Sequence, residues 1–468
     1  MRQELVIAGI IFFVLILKLG KERSNESVLR LMNILLLLNF LFGLFFPAQG
    51  TLFNDMFRTN SLAVLEKNIL NLGMLIVSMQ SYSWLKTHKH VIEFYALLLS
   101  TLLGMFFMIS AGNMLMFYVG LELSTIPLAA AVNFDLEKRR SSEAAMKLII
   151  SSAFSSGLLL FGLSLLYGTT GSLNFAEITD QLNGSALQLF GFILFVAGFA
   201  FKISAVPFHL WTADVYEGAP VPVTSYLSVV SKGAVIFVFA SVLFQVFEPL
   251  ENSWYNMLFL ISVLTILVGN LFAIRQNNIK RFLAFSSIAQ VGFILIGITG
   301  GEQTGTTTII YFVLVYLFSN LAAFGVVSLV SAVTGKEEIS DYKGFYQTNP
   351  VLSWVLTIAL FSLAGVPPTA GFFGKFFLLL SGAGKGNYLL ITIAALSMII
   401  SFYYYLRIVK AIFMDANETP IQKISTPWMP RLSFAICIIG IVAVGVVSWV
   451  YQYINDVSLA SVINTINN

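Results

Sequence analysis

The sequence predicts an all-α protein that crosses a membrane many times, and three observations favour that fold class. Hydrophobic residues make up 57% of the 468 residues and charged residues only 10%, against about 25% in typical soluble domains. The apolar residues fall into runs of about 20, the length that a helix needs to cross the hydrocarbon core of a bilayer. Basic residues concentrate in every second loop between these runs, as the positive-inside rule requires.

Fourteen apolar runs are long enough to be spanning helices, and no loop between them is long enough to form a soluble domain. We interpret the first run as a retained helix rather than a signal peptide, because acidic Glu4 stands at its start and no small-residue cleavage site follows it. The predicted helices 1 to 14 cover residues 4–20, 28–46, 61–83, 92–109, 113–133, 142–167, 186–208, 222–247, 254–274, 279–299, 306–333, 351–380, 387–413 and 429–453.

The distribution of lysine and arginine predicts how the chain is oriented. Loops that follow odd-numbered helices hold 18 of these residues, whereas loops that follow even-numbered helices hold only Arg58 and Lys385. Cytoplasmic loops carry the excess of basic residues, so the loops that contain Lys21 and Lys138 are expected on the inner side. Both chain termini are then expected on the outer side of the membrane.

The composition also excludes several classes of protein. The formal net charge is only +3 and there is no basic run, which argues against nucleic-acid binding. Cys437 is the single cysteine and there are three histidines, so no disulfide framework, zinc site or iron–sulfur motif is expected. Any chemistry must come from carboxylates and lysines inside the membrane.

Five lysines lie inside the predicted helices, where a charged side chain near the bilayer centre costs about 2.5–3.5 kcal/mol and is functional by default. They are Lys67, Lys147, Lys202, Lys232 and Lys375. Lys67 is close enough to a helix start to reach the interface or to pair locally with Glu66, so we assign it no function. For Lys147 a position at the interface and a functional position remain equally open.

Glu122, in the middle of predicted helix 5, is the matching acid, because every other Asp or Glu lies in a loop or near a helix end. A carboxylate near a lysine can stay ionised and keep that lysine charged. Lys232 lies ten residues into predicted helix 8, among hydroxyl side chains that include Thr224 and Ser228. Two interpretations stay open: these groups conduct ions, or they form structural ion pairs that lock helices together.

Prolines interrupt two of the predicted helices, helix 7 at Pro207 and helix 12 at Pro367 and Pro368. Proline removes a backbone donor and clashes with the preceding turn. Backbone freed in this way is tolerated in a membrane only where protein or a hydrated cavity surrounds it. Each predicted break therefore indicates a polar spot at depth, and Lys202 and Lys375 lie within seven residues of the two breaks.

Helices 7 and 12 are five helices apart, so they cross the membrane in opposite directions. Broken helices in corresponding positions of opposite polarity are typical of inverted repeats around midplane ion sites. The sequence therefore predicts a first repeat of helices 4–8 at residues 92–247 and a second of helices 9–13 at 254–415. The three N-terminal helices at 1–91 and the C-terminal region at 429–468 are additions to the two repeats.

Two motifs carry a resemblance to a known family. The first is Phe201–Trp211, FKISAVPFHLW, followed by Asp214–Pro220, DVYEGAP; the second is Ile279–Ile288, IKRFLAFSSI. Over nearly its whole length the chain resembles the antiporter-like membrane subunits of respiratory complex I. The resemblance is strongest to members with a lysine at the position of Lys375 and three helices ahead of the first repeat.

The resemblance implies a role for each buried charge. Glu122 matches the family's glutamate on helix 5, and the lysines on helices 6, 7, 8 and 12 match Lys147, Lys202, Lys232 and Lys375. It implies proton translocation in a bacterial inner membrane, driven by quinone reduction in partner subunits. FMN, iron–sulfur clusters, NADH and quinone would be bound by other subunits, and none by this chain. Expected neighbours are lipid, the antiporter-like subunit M and the small subunits K and J, with no nucleic acid.

The functional hypothesis is a lateral proton path along the bilayer midplane. It runs through Glu122, Lys202, Lys232 and Lys375, with Lys147 adjusting the first pair. The supporting polar side chains are expected to be His209, Ser228 and Thr224. Alternatives are a subunit of a multisubunit cation/proton antiporter or of a membrane-bound hydrogenase, which share the architecture, and a silent scaffold in which buried charges only register the helices.

Overall fold

The structure is a computed structural model that describes residues 1–20 and 23–466, with side chains described as far as Ser461. Lys21, counted above in an inner loop, and the last two residues of the predicted C-terminal region lie outside the described residues. The α-helices of the described part are α1 (Arg2–Leu19), α2 (Asn25–Phe45), α3 (Ser61–Gln80), α4 (Tyr82–Leu85), α5 (Val91–Ile109), α6 (Met114–Val132), α7 (Arg139–Thr170), α8 (Phe175–Gln181), α9 (Ala186–Ile203), α10 (Leu210–Gly218), α11 (Val221–Tyr226), α12 (Lys232–Gln245), α13 (Glu251–Ile274), α14 (Ile279–Ile298), α15 (Glu302–Thr334), α16 (Phe345–Thr348), α17 (Pro350–Ala364), α18 (Ala370–Ala383), α19 (Tyr388–Phe413), α20 (Trp428–Val446) and α21 (Ser448–Ile466).

These helices confirm the predicted all-α membrane fold. Within the described residues, twelve helical segments are long and apolar enough to cross a membrane, one of them formed by α11 and α12 together with the π-helical turn Leu227–Ser231 between them. The shorter α17 and α18 together occupy predicted helix 12, and α1, which carries three charged residues, occupies predicted helix 1. The described helices are therefore compatible with fourteen crossings.

The C-terminal end of the bundle differs from the prediction. Predicted helix 14, residues 429–453, is two elements, because α20 ends at Val446 and a separate helix, α21, begins at Ser448. Val447 between them has an extended backbone (φ −89°, ψ 102°). The apolar run continues across Val447, so hydropathy gives no signal of the break. The structure packs α21 against α3 and α15.

The loop between α2 and α3 contains a small β-hairpin that the sequence pattern did not predict. Strand β1 (Gly50–Leu52) pairs antiparallel with β2 (Phe57–Thr59), with Gly50 opposite Thr59. The three residues Phe53–Asp55 turn the chain with positive φ angles. Strands of three residues are too short for alternation of apolar and polar side chains to be recognised.

Burial separates the centre of the bundle from its lipid-facing rim. The long helix α15 is the central element, with 94% of its apolar window buried, and α14 and the α11–α12 segment are buried to a similar degree. By contrast α19 is only 33% buried and exposes large side chains such as Tyr388 and Ile399. An exposed apolar belt of this kind fits a surrounding of lipid, and the buried helices are those that position the candidate site.

Candidate functional site

The first predicted break, in helix 7, is confirmed as the gap between α9 and α10. The residue after α9, Ser204, has a left-handed backbone (φ 67°), and the Val206–Pro207 peptide that follows is cis. Protein groups satisfy the freed backbone: Trp211 Nε1 donates to the Phe201 carbonyl at 3.0 Å, and the Val206 N–H donates to Thr265 Oγ1 at 3.0 Å. The break is thus buried in protein, as backbone at membrane depth must be.

Lys202 stands in the last turn of α9, directly before this break, and bonds two hydroxyl groups. Its ammonium donates to Thr125 Oγ1 and to Ser152 Oγ, each at 2.8 Å. Glu122 lies one turn before Thr125 on α6, and one of its carboxylate oxygens is buried with no hydrogen-bond partner among the described residues. The hydrogen bond to Thr125 thus brings Lys202 to the turn of α6 that follows Glu122, and no direct ion pair joins the two charges in the described part of the chain.

Lys232 is the buried lysine of the α11–α12 segment. Its side chain is 3% exposed, its ammonium donates to Ser287 Oγ of α14 at 2.7 Å, and it lies 5.5 Å from the centre of the Tyr216 ring. Lys232 follows directly after the π-helical turn Leu227–Ser231. Such turns inside α-helices are frequent at functional sites.

The two hydroxyls predicted around Lys232 are buried on the same segment but do not bond it. Thr224 Oγ1 donates to the Tyr216 carbonyl at 3.1 Å. Ser228 Oγ accepts a hydrogen bond of 3.1 Å from the amide nitrogen of Asn320 on α15. Both hydroxyls keep lone pairs that can accept a further hydrogen bond.

Lys375 uses the second predicted break, the gap between α17 and α18. Gly365 after α17 is left-handed (φ 89°), and the Pro367–Pro368 peptide is cis. The Lys375 ammonium, on a side chain 1% exposed, donates to the Ala364 carbonyl at 3.2 Å and lies 4.9 Å from the Phe293 ring centre. The break thus supplies the carbonyl oxygen that solvates this lysine, which explains why a broken helix and a lysine occur together.

Lys147 forms no bond with Lys202 or Glu122 in the described part of the chain and belongs to an ionic cluster of α7, α10 and α14 on the side of the basic loops. Its ammonium lies 2.7 Å from an Asp214 oxygen and 2.9 Å from a Glu143 oxygen, and the side chain is 43% exposed. Arg281 joins Asp214 at 2.7 Å and Glu217 at 2.8 Å. The sequence argument did not select these four partners, although three of them lie in the two family motifs. We call these five residues the inner cluster.

Lys67 differs from expectation, and the supporting role predicted for His209 stays a prediction. His209, predicted as a supporting group, is 8% exposed and its Nδ1 has no hydrogen-bond partner in the described part of the chain. Lys67, interpreted as reaching the interface or pairing with Glu66, is 1% exposed and instead pairs with Glu4 of α1 at 2.5 Å. It also donates to Ser110 Oγ at 2.5 Å. The pairing was missed because periodicity within one helix carries no information about which distant helix packs against it.

A polar cavity of about 360 Å³ opens beside the inner cluster, on the side of the basic loops. Its ionisable lining residues are Asp135, Lys138, Arg140, Glu217, Lys280 and Glu337. Lys280 is buried there and lies 3.0 Å from a Glu337 oxygen. His88 lies 3.7 Å from Asp135, and burial lowers the pKa of its imidazole while that carboxylate partly opposes the shift. We call this cavity the inner vestibule.

A helical bundle with two broken helices and a set of buried lysines, each solvated by hydroxyl or carbonyl oxygens, defines an ion-translocating membrane subunit of antiporter type. Within the described residues no group of three or more His, Cys, Asp and Glu could hold a metal ion.

Comparison with known proteins specifies the class. The family model described as NADH:quinone oxidoreductase/Mrp antiporter matches residues 111–401. The chain is 46% identical over 464 residues to NADH-quinone oxidoreductase subunit N of Phocaeicola vulgatus, covering 98% of both chains. It is 38% identical to the chloroplastic NAD(P)H-quinone oxidoreductase subunit 2 of Mesostigma viride, covering 89% of this chain and 85% of that one.

Solved structures agree with this assignment. A chain of respiratory complex I from Thermus thermophilus superimposes with a TM-score of 0.81 at 27% identity, covering 95% of this chain and 96% of that one. A chain of the Mrp complex from Dietzia shares the fold, with a TM-score of 0.87 at 18% identity over 98% and 96%. The chain belongs to the subunit N family of NADH-quinone oxidoreductase, respiratory complex I, and is a proton-translocating subunit of its membrane arm.

Proposed function

We propose that protons move laterally through this subunit along Glu122, Lys202, Lys232 and Lys375. The observation that carries the proposal is the solvation of the three lysines. Each ammonium is held inside the bundle by neutral oxygens, which can bind a protonated amine without locking it to a fixed counter-charge. A structural ion pair would instead hold its lysine against a carboxylate.

Glu122 is proposed to control the proton on Lys202. The attraction between the two charges grows as their separation falls, and steeply so in a low dielectric. When Lys202 moves from the Thr125 hydroxyl toward Glu122, its ammonium is stabilised; when it moves away, the proton can pass toward Lys232. Moving one charge against 100 mV costs about 2.3 kcal/mol. The change in attraction between Lys202 and Glu122 inside the protein can supply an energy of this size.

Proton uptake is proposed from the inner vestibule. Pro220 lines that cavity, and Thr224, Ser228 and Lys232 follow it at intervals of four residues along one segment. Thr224 and Ser228 are buried hydroxyls that stand in sequence between Pro220 and Lys232, and the π-helical turn Leu227–Ser231 lies within the same stretch. They are proposed to relay the proton from the vestibule to the central lysine. The ionic contacts of Lys147 with Asp214 support a role at this inner side, through which it would adjust the first pair indirectly.

The predicted inverted repeats, residues 92–247 and 254–415, are proposed as the frame of this path, with 1–91 and 429–468 as additions. Corresponding helix pairs support the division, since α5 packs along α6 and α13 along α14. Both helix breaks support it as well, since Ser204 and Gly365 are left-handed residues that each stand three positions before a cis proline.

Two matching turns give the alignment of the repeats. Asn113 and Asn278 each cap the helix that follows. Each also forms a bridge to a residue three positions after a left-handed glycine, Gly171 in one repeat and Gly335 in the other. The same arrangement of cap, bridge and glycine in both halves supports a common origin of their geometry.

This alignment gives Lys232 a partner that corresponds to Glu122. Glu122 lies nine residues after Asn113, and Ser287 lies nine residues after Asn278. The first repeat thus carries an acid at this position, and the second carries the hydroxyl that accepts from Lys232. Lys202 would then have a charged partner at one end of the path, and Lys232 a neutral partner at its centre. This difference between the two partners would favour proton movement in one direction.

The subunit is proposed to work without redox chemistry of its own. FMN, iron–sulfur clusters, NADH and quinone would be bound by other subunits of the complex, and quinone reduction there would supply the energy. Subunits M, K and J are the proposed neighbours, with both termini of this chain on the periplasmic side of a bacterial inner membrane. The excess of basic residues in alternate loops supports that orientation.

The experiment is proton pumping by the whole complex in proteoliposomes with Lys202→Ala or Lys232→Ala. We expect pumping and quinone-coupled NADH oxidation to fall by about 10²-fold per assembled complex, as for loss of a general acid–base group. The control is Lys385→Ala, since Lys385 forms an exposed pair with Glu251. Reduced assembly with normal pumping per complex would contradict the proposal and favour a scaffold.

A further inference from the structure

A second acidic site, outside the lysine path, faces the opposite side of the membrane. Glu66 of α3 lines a narrow cavity of about 20 Å³, enough for one water molecule. Its side chain is 6% exposed, and among the described residues it has no hydrogen-bond or ion-pair partner. Its neighbour Lys67 is paired with Glu4 instead. Within the described residues, no hydrogen bond compensates the burial of this carboxylate.

The cavity lies between three helix ends and one further helix. The starts of α3 and α15, the end of α12 and the middle of the C-terminal helix α21 enclose it. By the alternation of the loops the three ends belong to the outer side. Ser458 and Ser461 of α21 line the cavity, and Asn60 Nδ2 donates to Ser461 Oγ at 3.0 Å. The helix that hydropathy failed to predict thus closes an acidic cavity.

Glu66 lies one helical turn from the level of Lys232. A Cβ atom at Gly233, the residue after Lys232, would lie 3.8 Å from Leu70 of α3 and 3.1 Å from Val313 of α15. Glu66 precedes Leu70 by four residues, which is about 6 Å along a helix. The residues one turn outward from Gly233 on α12 and from Val313 on α15 line the same cavity as Glu66. On all three helices the cavity therefore lies about one turn outward from Lys232.

Glu302 stands at the outer mouth of the cavity. It begins α15 and is half-buried. The hydroxyls of Thr306 and Ser241 also line the cavity, together with Glu66. Ile309 of α15 lies at the level of Glu66. Glu302 precedes Ile309 by seven residues, so it lies about 10 Å further out along the helix. Glu66 therefore marks the inner end of this cavity and Glu302 its outer end.

We propose that Glu66 is the proton-release group of this subunit and that Glu302 passes the proton to the outer solution. This inference rests on the proposed lysine path. The ammonium of Lys232 gives a proton, through water, to the Glu66 carboxylate, leaving a neutral amine and a carboxylic acid. The acid then gives that proton, again through water, to Glu302, which releases it to the outer solution, and both carboxylates are restored.

The test measures proton pumping by the assembled complex in proteoliposomes, in sodium-free buffer, with Glu66→Gln and Glu302→Gln. Glutamine keeps the size of the side chain and cannot carry the proton. We expect pumping per complex to fall at least about tenfold for Glu66→Gln, and about two- to threefold for Glu302→Gln, where water can partly replace the carboxylate. The control is Asp180→Asn, an exposed carboxylate of α8 on the same side.

The outcomes separate this proposal from the function on which it rests. Normal pumping by Glu66→Gln, with Lys232→Ala inactive, would overturn the release route alone. Normal pumping by both would overturn the lysine path as well. Reduced assembly with normal pumping per complex would show that Glu66 is structural. If Glu66→Gln does not assemble, the half-buried Glu302→Gln decides, and an unchanged rate overturns the proposal.

Discussion

At the residue scale, the hydrogen-bond partners of the buried lysines divide them into two kinds. Lys202, Lys232 and Lys375 donate to hydroxyl or carbonyl oxygens, whereas Lys67 lies against a carboxylate. A buried ion pair is costly to break, because the remaining charge is left without compensation. Lys67 therefore holds α1 against α3, and the neutral partners of the other three are those that the proposed proton path requires.

The Glu4–Lys67 pair gives the first prediction, on stability. Glu4→Gln leaves Lys67 buried without its counter-charge, and we expect a loss of about 3–5 kcal/mol of stability. The matched control is Glu93→Gln, because Glu93 also ties α1 to another helix, through an ion pair with Lys18 that is substantially exposed. That change is expected to cost only about 0–1 kcal/mol. Thermal unfolding of the purified complex measures both, and equal losses would contradict the assignment.

Ser287 gives the second prediction, on activity. Ser287→Ala removes the acceptor of the Lys232 ammonium, which costs about 1–3 kcal/mol for a buried polar group, and we expect pumping to slow about tenfold. The neighbouring Ser286 bonds Tyr405 instead, so Ser286→Ala should leave pumping near the wild-type rate. Pumping assays in proteoliposomes measure both rates, and similar slowing in the two variants would show that Ser287 acts only through packing.

At the scale of elements, the two helix breaks place helix ends where they can position or bond the lysines of the path. α9 ends directly after Lys202, and the end of α17 offers the Ala364 carbonyl to Lys375. A continuous helix would use this carbonyl within its own ladder of hydrogen bonds. The geometry of the breaks is therefore as important to the site as the lysines themselves.

Gly371 tests that geometry. A Cβ atom at Gly371 would lie 1.6 Å from the Ser362 carbonyl oxygen, so Gly371→Ala must push α18 away from α17. We expect a loss of at least about 1–3 kcal/mol, together with slower pumping. Gly157→Ala in α7 is the control, since nothing lies within 4 Å of its Cβ position, and it should be neutral or slightly stabilising. Unfolding curves that coincide for the two variants would contradict the account.

Sequence reasoning was successful where the physics is local. Apolar length predicts the spanning helices, and prolines 207, 367 and 368 predict both breaks, because these constraints act within a few residues. It failed for α21, for the Glu4–Lys67 pair and for the inner cluster. Those features depend on which distant helices come into contact, and neither hydropathy nor spacing within one segment records that.

At the scale of the whole molecule, the charge pattern, the inner vestibule and the outer acidic cavity give one direction across the membrane. The vestibule lies on the side of the 18 basic loop residues and the acidic cavity on the other. Lys232 lies between them, near the centre of the bundle. In the proposed mechanism, proton movement from the inner to the outer side crosses the lateral path at its middle lysine.

Cysteine labelling tests this orientation. Cys437 is the single cysteine and is buried, so the unmodified chain gives little background. Lys138→Cys should react with a membrane-impermeant maleimide only when the inner side is accessible, and Asp180→Cys only from the outer side. Labelling of both positions from one side would contradict the proposed topology.

The most direct test of the account is a map of the assembled complex that resolves ordered water inside this subunit. Proton transfer between amines too far apart for direct contact requires intervening water or hydroxyl groups. The account predicts ordered water molecules that connect Lys202 through Lys232 to Lys375. Dry apolar packing between these lysines, or ammonium groups that face lipid, would contradict it.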